Sequence, residues 1–378
     1  MAALLRLGPG TLFASDFEIR ELIAEGGMGM VYAATDRLSG EVCALKVLLP
    51  ELVADEETRR RFAQEARIGV EIDSPHVPRV MRAGIDAPTG MPWIAMELLV
   101  GQDLHARVKH RGPLPREEAA DLLDQLGSAL AAAHAKGLVH RDLKPQNVFL
   151  EHGPGGLRVK LLDFGVAKII DVKRSAGTGT AAIGSPLWMA PEQTSAGGRI
   201  SPATDVFAYG LLAFYVLTGR IYWRSAHDGK SIGGLMRELF VDEPEPASAR
   251  ARALAPEVEL PPGFDAWFAR TLVRDASRRF ANGGEASRAL ASVFRGRDAA
   301  MGYASTMEVP AIASIPAPSE PDIPPTDPPP PLVMPAAGEH AWPARRRRVW
   351  PWVLAFGAAI LLACMLLSVI LWVVLTIT

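Results

Sequence analysis

Cysteine is scarce in this chain of 378 residues, which holds only Cys43 and Cys364. The two lie far apart in different contexts, so neither a disulfide framework nor a cysteine metal site is expected. An excess of one charge is also lacking, because 40 basic and 42 acidic residues leave a formal net charge of −2. This balance gives no electrostatic reason to expect a nucleic-acid partner. With 49% hydrophobic and 22% charged residues, the chain is not disordered throughout.

Lysine and arginine are absent between Met301 and Pro343, a stretch that holds 12 of the 31 prolines and five acidic residues. It has few large apolar side chains, so it cannot bury enough apolar surface to offset the entropy of ordering. We therefore expect residues 298–344 to form an extended, acidic, disordered linker. A docking site for a domain that binds polyproline helices is the alternative interpretation.

Charged residues are absent from the last thirty positions, which follow the four arginines at 345–348. The apolar run at 350–375 is long enough to cross ~30 Å of hydrocarbon at about 1.5 Å per residue. Trp350, Trp352 and Trp372 lie near its ends, where tryptophan suits the membrane interfaces. We predict a transmembrane helix with a basic cytoplasmic flank. The N-terminus has only a short apolar stretch, so no secretory signal is expected, and the bulk of the chain is expected in the cytoplasm at the cell membrane.

The remaining part of the chain, residues 17–297, combines strand-like and helical patterns. Helical spacing is shown by Leu122, Leu126 and Leu130, and the segment Val206–Leu217 is apolar almost all round, as in a buried helix. Strand-like runs precede these helices, at Phe17–Ala24, Met30–Asp36, Val42–Leu48 and Pro92–Leu98. The order predicts an α+β fold, with a small sheet-rich lobe at 17–99, a helical lobe at 100–297 and a lead-in at 1–16.

A glycine-rich segment, Ala24 to Val31, lies between the first two strand-like runs. Glycines allow backbone amides to approach phosphate groups closely, although such a hairpin alone is usually only a turn. Lys46 lies in the third strand-like run, where by itself it would be an ordinary solvated lysine. Neither the glycine-rich segment nor Lys46 indicates a function by itself.

Two further segments supply a set of reactive groups. His140 to Asn147 offers a carboxylate, an ammonium group and an amide, and Asp163-Phe164-Gly165 offers a second carboxylate before a glycine. These groups can orient a hydroxyl, neutralise a transferring phosphoryl group and hold Mg²⁺. Their order and spacing do not arise by chance.

On these motifs, residues from about Phe17 to Leu290 resemble the protein kinase family, in particular the bacterial Ser/Thr kinases of eukaryotic type. The resemblance implies a bilobal kinase fold and transfer of the γ-phosphate of ATP to protein hydroxyls, with Mg²⁺, or alternatively Mn²⁺, as cofactor. By position, Asp142 resembles the catalytic base and Lys144 the lysine that steadies the γ-phosphate. Asn147 and Asp163 resemble the metal ligands.

The resemblance also implies a nucleotide site. Lys46 resembles the lysine that contacts the α- and β-phosphates, and Glu65 resembles its partner on a helix of the small lobe. Asp103 either reaches the ribose or begins a helix. The other implied contacts are Ile23, Ala24, Glu25, Gly26, Gly27, Met28, Gly29, Met30 and Val31 in the hairpin, and Ala44, Met96, Glu97, Leu99 and Phe149 around the purine. Ala24 replaces the first glycine of the family pattern, which we expect to tune nucleotide affinity.

The same resemblance assigns structural and regulatory roles. Glu192 and Arg279 are expected to form an ion pair, and Asp205 is expected to hold the backbone of the catalytic loop. Arg141 precedes the base, which in this family indicates control by phosphorylation of the activation loop. The candidate acceptors are Ser175, Thr178 and Thr180. A plain flexible loop is the alternative.

The interpretation that follows is a membrane-tethered Ser/Thr protein kinase with protein substrates. It could form a kinase-domain dimer for autophosphorylation in trans. A membrane-anchored pseudokinase scaffold is the alternative from another functional class. A small-molecule kinase is disfavoured by the Ala190-Pro191-Glu192 segment, and tyrosine specificity is disfavoured by Lys144.

Overall fold

The computed structural model describes residues 6–26, 29–49, 58, 62, 72–153, 156–164, 186–194, 197–227 and 232–296. All of these lie in the first of two units into which the chain divides, Met1–Val309 and Pro310–Thr378. The predicted linker, basic flank and transmembrane helix therefore lie outside the described residues. Among the helices in the described ranges, none is long and apolar enough to cross a bilayer.

The smaller lobe is built on an antiparallel sheet of six strands in the order β1-β2-β3-β4-β6-β5. Inward-facing side chains such as Phe17, Ile19, Tyr32 and Leu45 are fully buried and form its core. The strands are β1 (Leu12–Phe13), β2 (Phe17–Gly26), β3 (Gly29–Asp36), β4 (Val42–Leu48), β5 (Val80–Ile85) and β6 (Pro92–Glu97).

The sheet begins earlier in the chain than the sequence predicted. The lead-in contributes β1, in which Leu12 pairs with Glu18 and Phe13 pairs with Phe17. Phe13 is buried in the core of the sheet, and Leu7 packs against the same core. A strand of two residues has too little alternation to be found by its pattern.

The larger lobe is mainly helical and also contains a small sheet of three strands in the order β7-β8-β9. Its strands are β7 (Gly101–Asp103), β8 (Val148–Gly153) and β9 (Gly156–Leu161). Its helices are α1 (Leu104–Arg111), α2 (Arg116–Ala135), α3 (Pro202–Thr218), α4 (Ile232–Phe240), α5 (Ala247–Leu254), α6 (Phe264–Thr271) and α7 (Gly283–Phe294). The predicted bilobal α+β architecture is confirmed.

Helix α3 is the buried centre of the larger lobe, as its apolar sequence predicted. Ser201 caps its start, Pro202 occupies the first turn without removing a needed donor, and Gly219 ends it in a left-handed conformation with φ of 68°. Because almost every side of this helix is covered by apolar side chains, a polar residue on it needs a specific set of partners. Asp205, in its first turn, has such partners.

Candidate active site

A cavity of about 550 Å³ brings together the glycine-rich hairpin, β4 and the two motif segments of the larger lobe. The hairpin contributes its backbone because Gly26 pairs with Gly29 where β2 and β3 meet. The charged and amide groups of the two motif segments line the same space. The lining residues are Ala24, Glu25, Gly26, Gly29, Val31, Lys46, Asp142, Lys144, Gln146, Asn147 and Asp163.

Gly29 is fixed by the close approach of β4. A Cβ at this position would lie 2.0 Å from the carbonyl oxygen of Val47, and φ is +152°. Side chains cannot be accommodated there without moving the backbone. The hairpin is therefore held tightly against the strand that carries Lys46.

Lys46 joins the two lobes through Asp163. Its Nζ lies 2.5 Å from Oδ1 of Asp163, and its side chain is almost completely buried. Burial would raise the pKa of Asp163, but the adjacent Lys46 ammonium group, with smaller contributions from His140 and Lys144, holds that pKa below its ordinary value. Asp163 is therefore ionised at neutral pH and can offer a carboxylate to a cation.

The side chains that follow His140 and Arg141 are arranged around Asp142. Nζ of Lys144 donates to Oδ2 of Asp142 at 2.6 Å, and Nδ2 of Asn147 donates to the carbonyl oxygen of Asp142 at 2.7 Å and to its Oδ2 at 3.1 Å. These bonds fix the carboxylate with one oxygen engaged. They also orient the amide of Asn147 with its nitrogen toward Asp142, so its oxygen is the atom available for a metal.

Asp205 holds the backbone on which this loop is built. Its Oδ2 accepts from the amide of His140 at 2.7 Å and from Nε2 of His134 at 2.8 Å, and its Oδ1 accepts from the amide of Arg141 at 2.8 Å. Burial would raise the pKa of Asp205, but the hydrogen bond and electrostatic contribution of His134, followed by those of His140, lower it overall. Because the amide of Gly283 donates to Nδ1 of His134, Nε2 is the protonated nitrogen.

Two residues at the site adopt the left-handed conformation, with φ of 67° at Arg141 and 66° at Asp163. Such a conformation costs about 1–3 kcal/mol in a residue with a side chain and needs outside support. Gln193 supports Arg141 by donating to its carbonyl oxygen at 2.6 Å, in addition to the bond from the Arg141 amide to Asp205. The strain thus lies directly beside Asp142 and at the carboxylate that pairs with Lys46.

His140 links the two motif segments. Its Nε2 donates to the carbonyl oxygen of Leu162 at 2.7 Å, and its Nδ1 accepts from the amide of Asp142. The ring of Phe164 packs against its edge, with centroids 4.8 Å apart and planes at 69°. The position of Asp142 is therefore coupled to that of the residues around Asp163.

Glu192 and Arg279 form the predicted ion pair, and its geometry is bidentate. Nη1 and Nη2 of Arg279 donate to Oε1 and Oε2 of Glu192 at 2.7 and 2.8 Å. Arg279 is buried, and it also donates to the carbonyl oxygens of Ala203, Val273 and Arg274. It joins the segment that holds Gln193 to the start of α3.

The family model described as "Protein kinase domain" matches residues 17–280 of this sequence. The chain belongs to the protein kinase family. It is 35% identical over 291 residues to the serine/threonine-protein kinase PknA of Mycobacterium tuberculosis, a match that covers 76% of this chain and 63% of PknA. It is 33% identical over 276 residues to the serine/threonine-protein kinase pkn3 of Myxococcus xanthus, covering 71% of this chain and 48% of that protein. The chain thus spans less than two thirds of the length of these curated relatives.

Solved structures give the same family likeness. The kinase domain of Mycobacterium tuberculosis PknI superposes with a TM-score of 0.58 and 26% sequence identity, covering 76% of this chain and all of that domain. A mutant of the same PknI domain gives the same TM-score at 27% identity, covering 76% of this chain and 99% of that domain.

Within this kinase fold, several predicted nucleotide contacts do not line the cavity described above. Ala44 and Met96 are paired across β4 and β6. Asp103 caps α1, since its Oδ1 accepts from the amide of Ala106 at 2.8 Å. The others outside that lining are Ile23, Glu97, Leu99 and Phe149, of which Phe149 pairs with Asp103 and with Lys160 in the second sheet.

The structure corrects the assignment of Met30. Its side chain is 1% exposed and belongs to the apolar core of the smaller lobe, where its sulfur accepts from the hydroxyl of Tyr32. Strand side chains alternate between faces, so Val31 faces the cavity and Met30 faces away from it. Six other predicted residues lie outside the described part of the chain: Gly27, Met28, Glu65, Ser175, Thr178 and Thr180.

Three residues of the site escaped the sequence prediction. Gln146 lines the cavity, and its place beside Asn147 in the loop was the available signal. His134 and Gln193 brace Asp205 and Arg141 over long sequence separations, so no local pattern could reveal them.

Proposed function

We propose that this chain is a Ser/Thr protein kinase that transfers the γ-phosphate of ATP to Ser or Thr hydroxyls of proteins. The observation that carries the proposal is the convergence of Lys46, Asp142, Lys144, Asn147 and Asp163 on one cavity, with their charged groups already paired. The curated relatives named serine/threonine-protein kinases support the same activity.

The residues present fit a nucleotide with a divalent cation. Asp163 is held ionised, and Asn147 presents an amide oxygen, which together form a hard oxygen donor set suited to Mg²⁺ or Mn²⁺. Bound Mg²⁺ would neutralise charge on the phosphate oxygens. Gly26 and Gly29 bring the hairpin backbone to the cavity, and an added Cβ at Gly26 would meet no atom within 4 Å, so the hairpin leaves room for phosphates on that side.

Each residue has a role that follows from its contacts. Asp142 has one carboxylate oxygen fixed by Lys144 and Asn147, so the other can accept a hydrogen bond from a Ser or Thr hydroxyl and orient it. The Lys144 ammonium group stands beside that carboxylate, where it can neutralise negative charge on the transferring phosphoryl group. Lys46 offers a second cation to the phosphates. Positioning and charge neutralisation supply most of the rate enhancement in such a site.

We further infer that the enzyme is tethered to the cell membrane, with its kinase domain on the cytoplasmic side. The support is the uncharged apolar run at 350–375 after the arginines at 345–348. Membrane fractionation of the full chain beside a variant ending at residue 344 tests this. Recovery of both proteins in the soluble fraction would contradict it.

Activation by phosphorylation of Ser175, Thr178 or Thr180, in trans within a dimer of kinase domains, is also part of the proposal. A phosphate there could pair with the Arg141 guanidinium and order its segment. Phosphopeptide mapping of active protein should find phosphate on at least one of the three residues. Fully active protein without phosphate on any of them would contradict this mode of activation.

The activity itself is tested by transfer of labelled phosphate from ATP to a general acceptor protein. Asp142→Asn should lose about 10²- to 10⁴-fold in rate, because the amide no longer accepts the hydroxyl proton. Asp121→Asn, an exposed position on α2, is the matched control and should retain the activity of the natural protein. Nucleotide binding without transfer in all three proteins would favour the pseudokinase alternative.

A further inference from the structure

Lys160 is a buried charged residue to which the proposed chemistry assigns no role. It lies in β9, three residues before Asp163, and its side chain is 7% exposed. Its Nζ forms an ion pair with Oε1 of Glu97, the last residue of β6. The chain passes from the smaller to the larger lobe at residues 98–100, which we call the hinge. The pair therefore joins the two lobes beside the hinge.

The pair belongs to a wider set of contacts, which we call the hinge clamp: His76, Arg79, Glu97 and Lys160. The amide of Arg79 donates to Oε1 of Glu97 at 3.1 Å, and the amide of Glu97 donates to the carbonyl oxygen of Arg79 at 3.0 Å. The carbonyl oxygen of His76 accepts from the amide of Leu161 at 2.8 Å.

Within the hinge clamp, His76 bonds to both neighbours of Lys160 in β9. Nδ1 of His76 donates to the carbonyl oxygen of Val159 at 3.2 Å, so the residues on both sides of Lys160 are bonded to the same loop. Three segments therefore meet here: the loop before β5, the end of β6 and the end of β9, which leads to Asp163. The side chain of Lys160 closes this arrangement by reaching Glu97.

We propose that Lys160 is a positioning residue for nucleotide binding, acting through Glu97 to fix the distance between the hinge and Asp163. The proposal rests on the proposed kinase function, because it assigns one end of the nucleotide to the hinge backbone and the other to Asp163. Lys160 is withdrawn from water and Glu97 is only partly exposed, so their charge-assisted contact restrains the two segments with a defined geometry.

The consequence is a preorganised site. When the clamp is intact, the hinge and Asp163 already stand at the separation that the nucleotide requires. Without it, the separation varies, and binding must restrict it at a cost in affinity. Once ATP is bound, the reacting groups around Asp142 are in place, so the catalytic rate constant is little affected. The effect therefore falls on Kd and KM for ATP rather than on kcat.

The test compares Lys160→Met, Glu97→Gln and the double variant in the full chain, with Lys109→Met as the matched control. Lys109 is exposed at the end of α1 and far from the clamp in sequence. Glu97→Gln keeps an acceptor for the Arg79 amide and removes only the charge. Direct binding of ATP with Mg²⁺ gives Kd, steady-state kinetics give kcat and KM, and thermal unfolding reports stability.

Each single variant should raise Kd for ATP about tenfold with kcat within about threefold of the natural protein, and the double variant should do no more than either one. Lys109→Met should bind ATP normally. Single variants that bind ATP within about twofold of the natural protein, even with a lowered melting temperature, would overturn the proposal, as would strictly additive effects. If Lys160→Met does not fold, Glu97→Gln decides alone. Direct binding keeps this outcome separate from the proposed function, which fails instead if the natural protein binds ATP without transferring phosphate.

Discussion

Nζ of Lys46 lies 2.5 Å from Oδ1 of Asp163, so β4 of the smaller lobe is bonded to a residue that closely follows β9 of the larger lobe. Burial works against the charge of Asp163, and the lysine more than offsets it, because the pKa of Asp163 is lowered overall from its ordinary 3.8. The ionisation of a predicted metal ligand thus depends on a predicted phosphate ligand.

Lys46→Met should destabilise the protein by about 1–3 kcal/mol at pH 7, because the partly buried Asp163 is left without its cation. In the natural protein the lowered pKa of Asp163 contributes stability above pH 3.8, which is lost as pH falls through that lowered pKa. In the variant burial prevails and the pKa is raised, so the difference between the two proteins should shrink on acidification. Urea unfolding at pH 7 and at about pH 4 measures it. A difference independent of pH would contradict the electrostatic account.

Gly29→Ala should cost at least about 2 kcal/mol in unfolding free energy, because its Cβ would meet the backbone oxygen of Val47. Gly26, its partner across the hairpin, has no atom within 4 Å of an added Cβ. Gly26→Ala should therefore stay within about 1 kcal/mol of the natural protein. Urea unfolding of both variants provides the comparison, and equal losses would exclude the steric explanation.

Arg279→Met should lose about 3–5 kcal/mol, because Glu192 would keep its charge in a largely buried place without a partner. Arg278 is the exposed neighbour, and Arg278→Met should change stability by no more than about 0.5 kcal/mol. Chemical unfolding followed by circular dichroism separates the two cases. Similar behaviour of both variants would show that the pair adds nothing specific.

Asp205→Asn should lower both stability and catalytic rate. The amide can accept with one oxygen only, and its NH₂ group would face backbone donors of His140 or Arg141. We expect a loss of at least about 1–3 kcal/mol and at least about tenfold in kcat, since a small displacement of Asp142 is costly. Phosphate transfer and urea unfolding are measured beside Asp121→Asn. Unchanged kcat in a destabilised Asp205→Asn would show that the loop is positioned by other contacts.

Much of the fold could be predicted from pattern. The strand Val42–Leu48 was predicted with its observed bounds, and Val206–Leu217 was recognised as a buried helix inside Pro202–Thr218. The strand Val80–Ile85 was missed. Every residue in it is only partly buried, so its sequence shows no clear alternation of apolar and polar side chains.

The sequence predicted the site residues that lie in short motifs. It missed the residues that support them from distant positions in the chain. Asp142, Asn147 and Asp163 stand in recognisable segments. The bonds from His134 to Asp205 and from Lys160 to Glu97 join residues 71 and 63 positions apart, and only the folded chain brings them together. A lysine inside the apolar run that leads to Asp163 was the one local sign of the second bond.

The attachment of His140 and Arg141 to Asp205 also determines how these positions exchange with solvent. Their amide protons are bonded to a carboxylate in the first turn of a helix that is covered on nearly every side. Neither amide can open to deuterium while that helix keeps its packing, so both should exchange at the rate of global unfolding. The backbone before Asp142 would then be as slow to exchange as the core of the larger lobe, although the carboxylate itself faces solvent in the cavity.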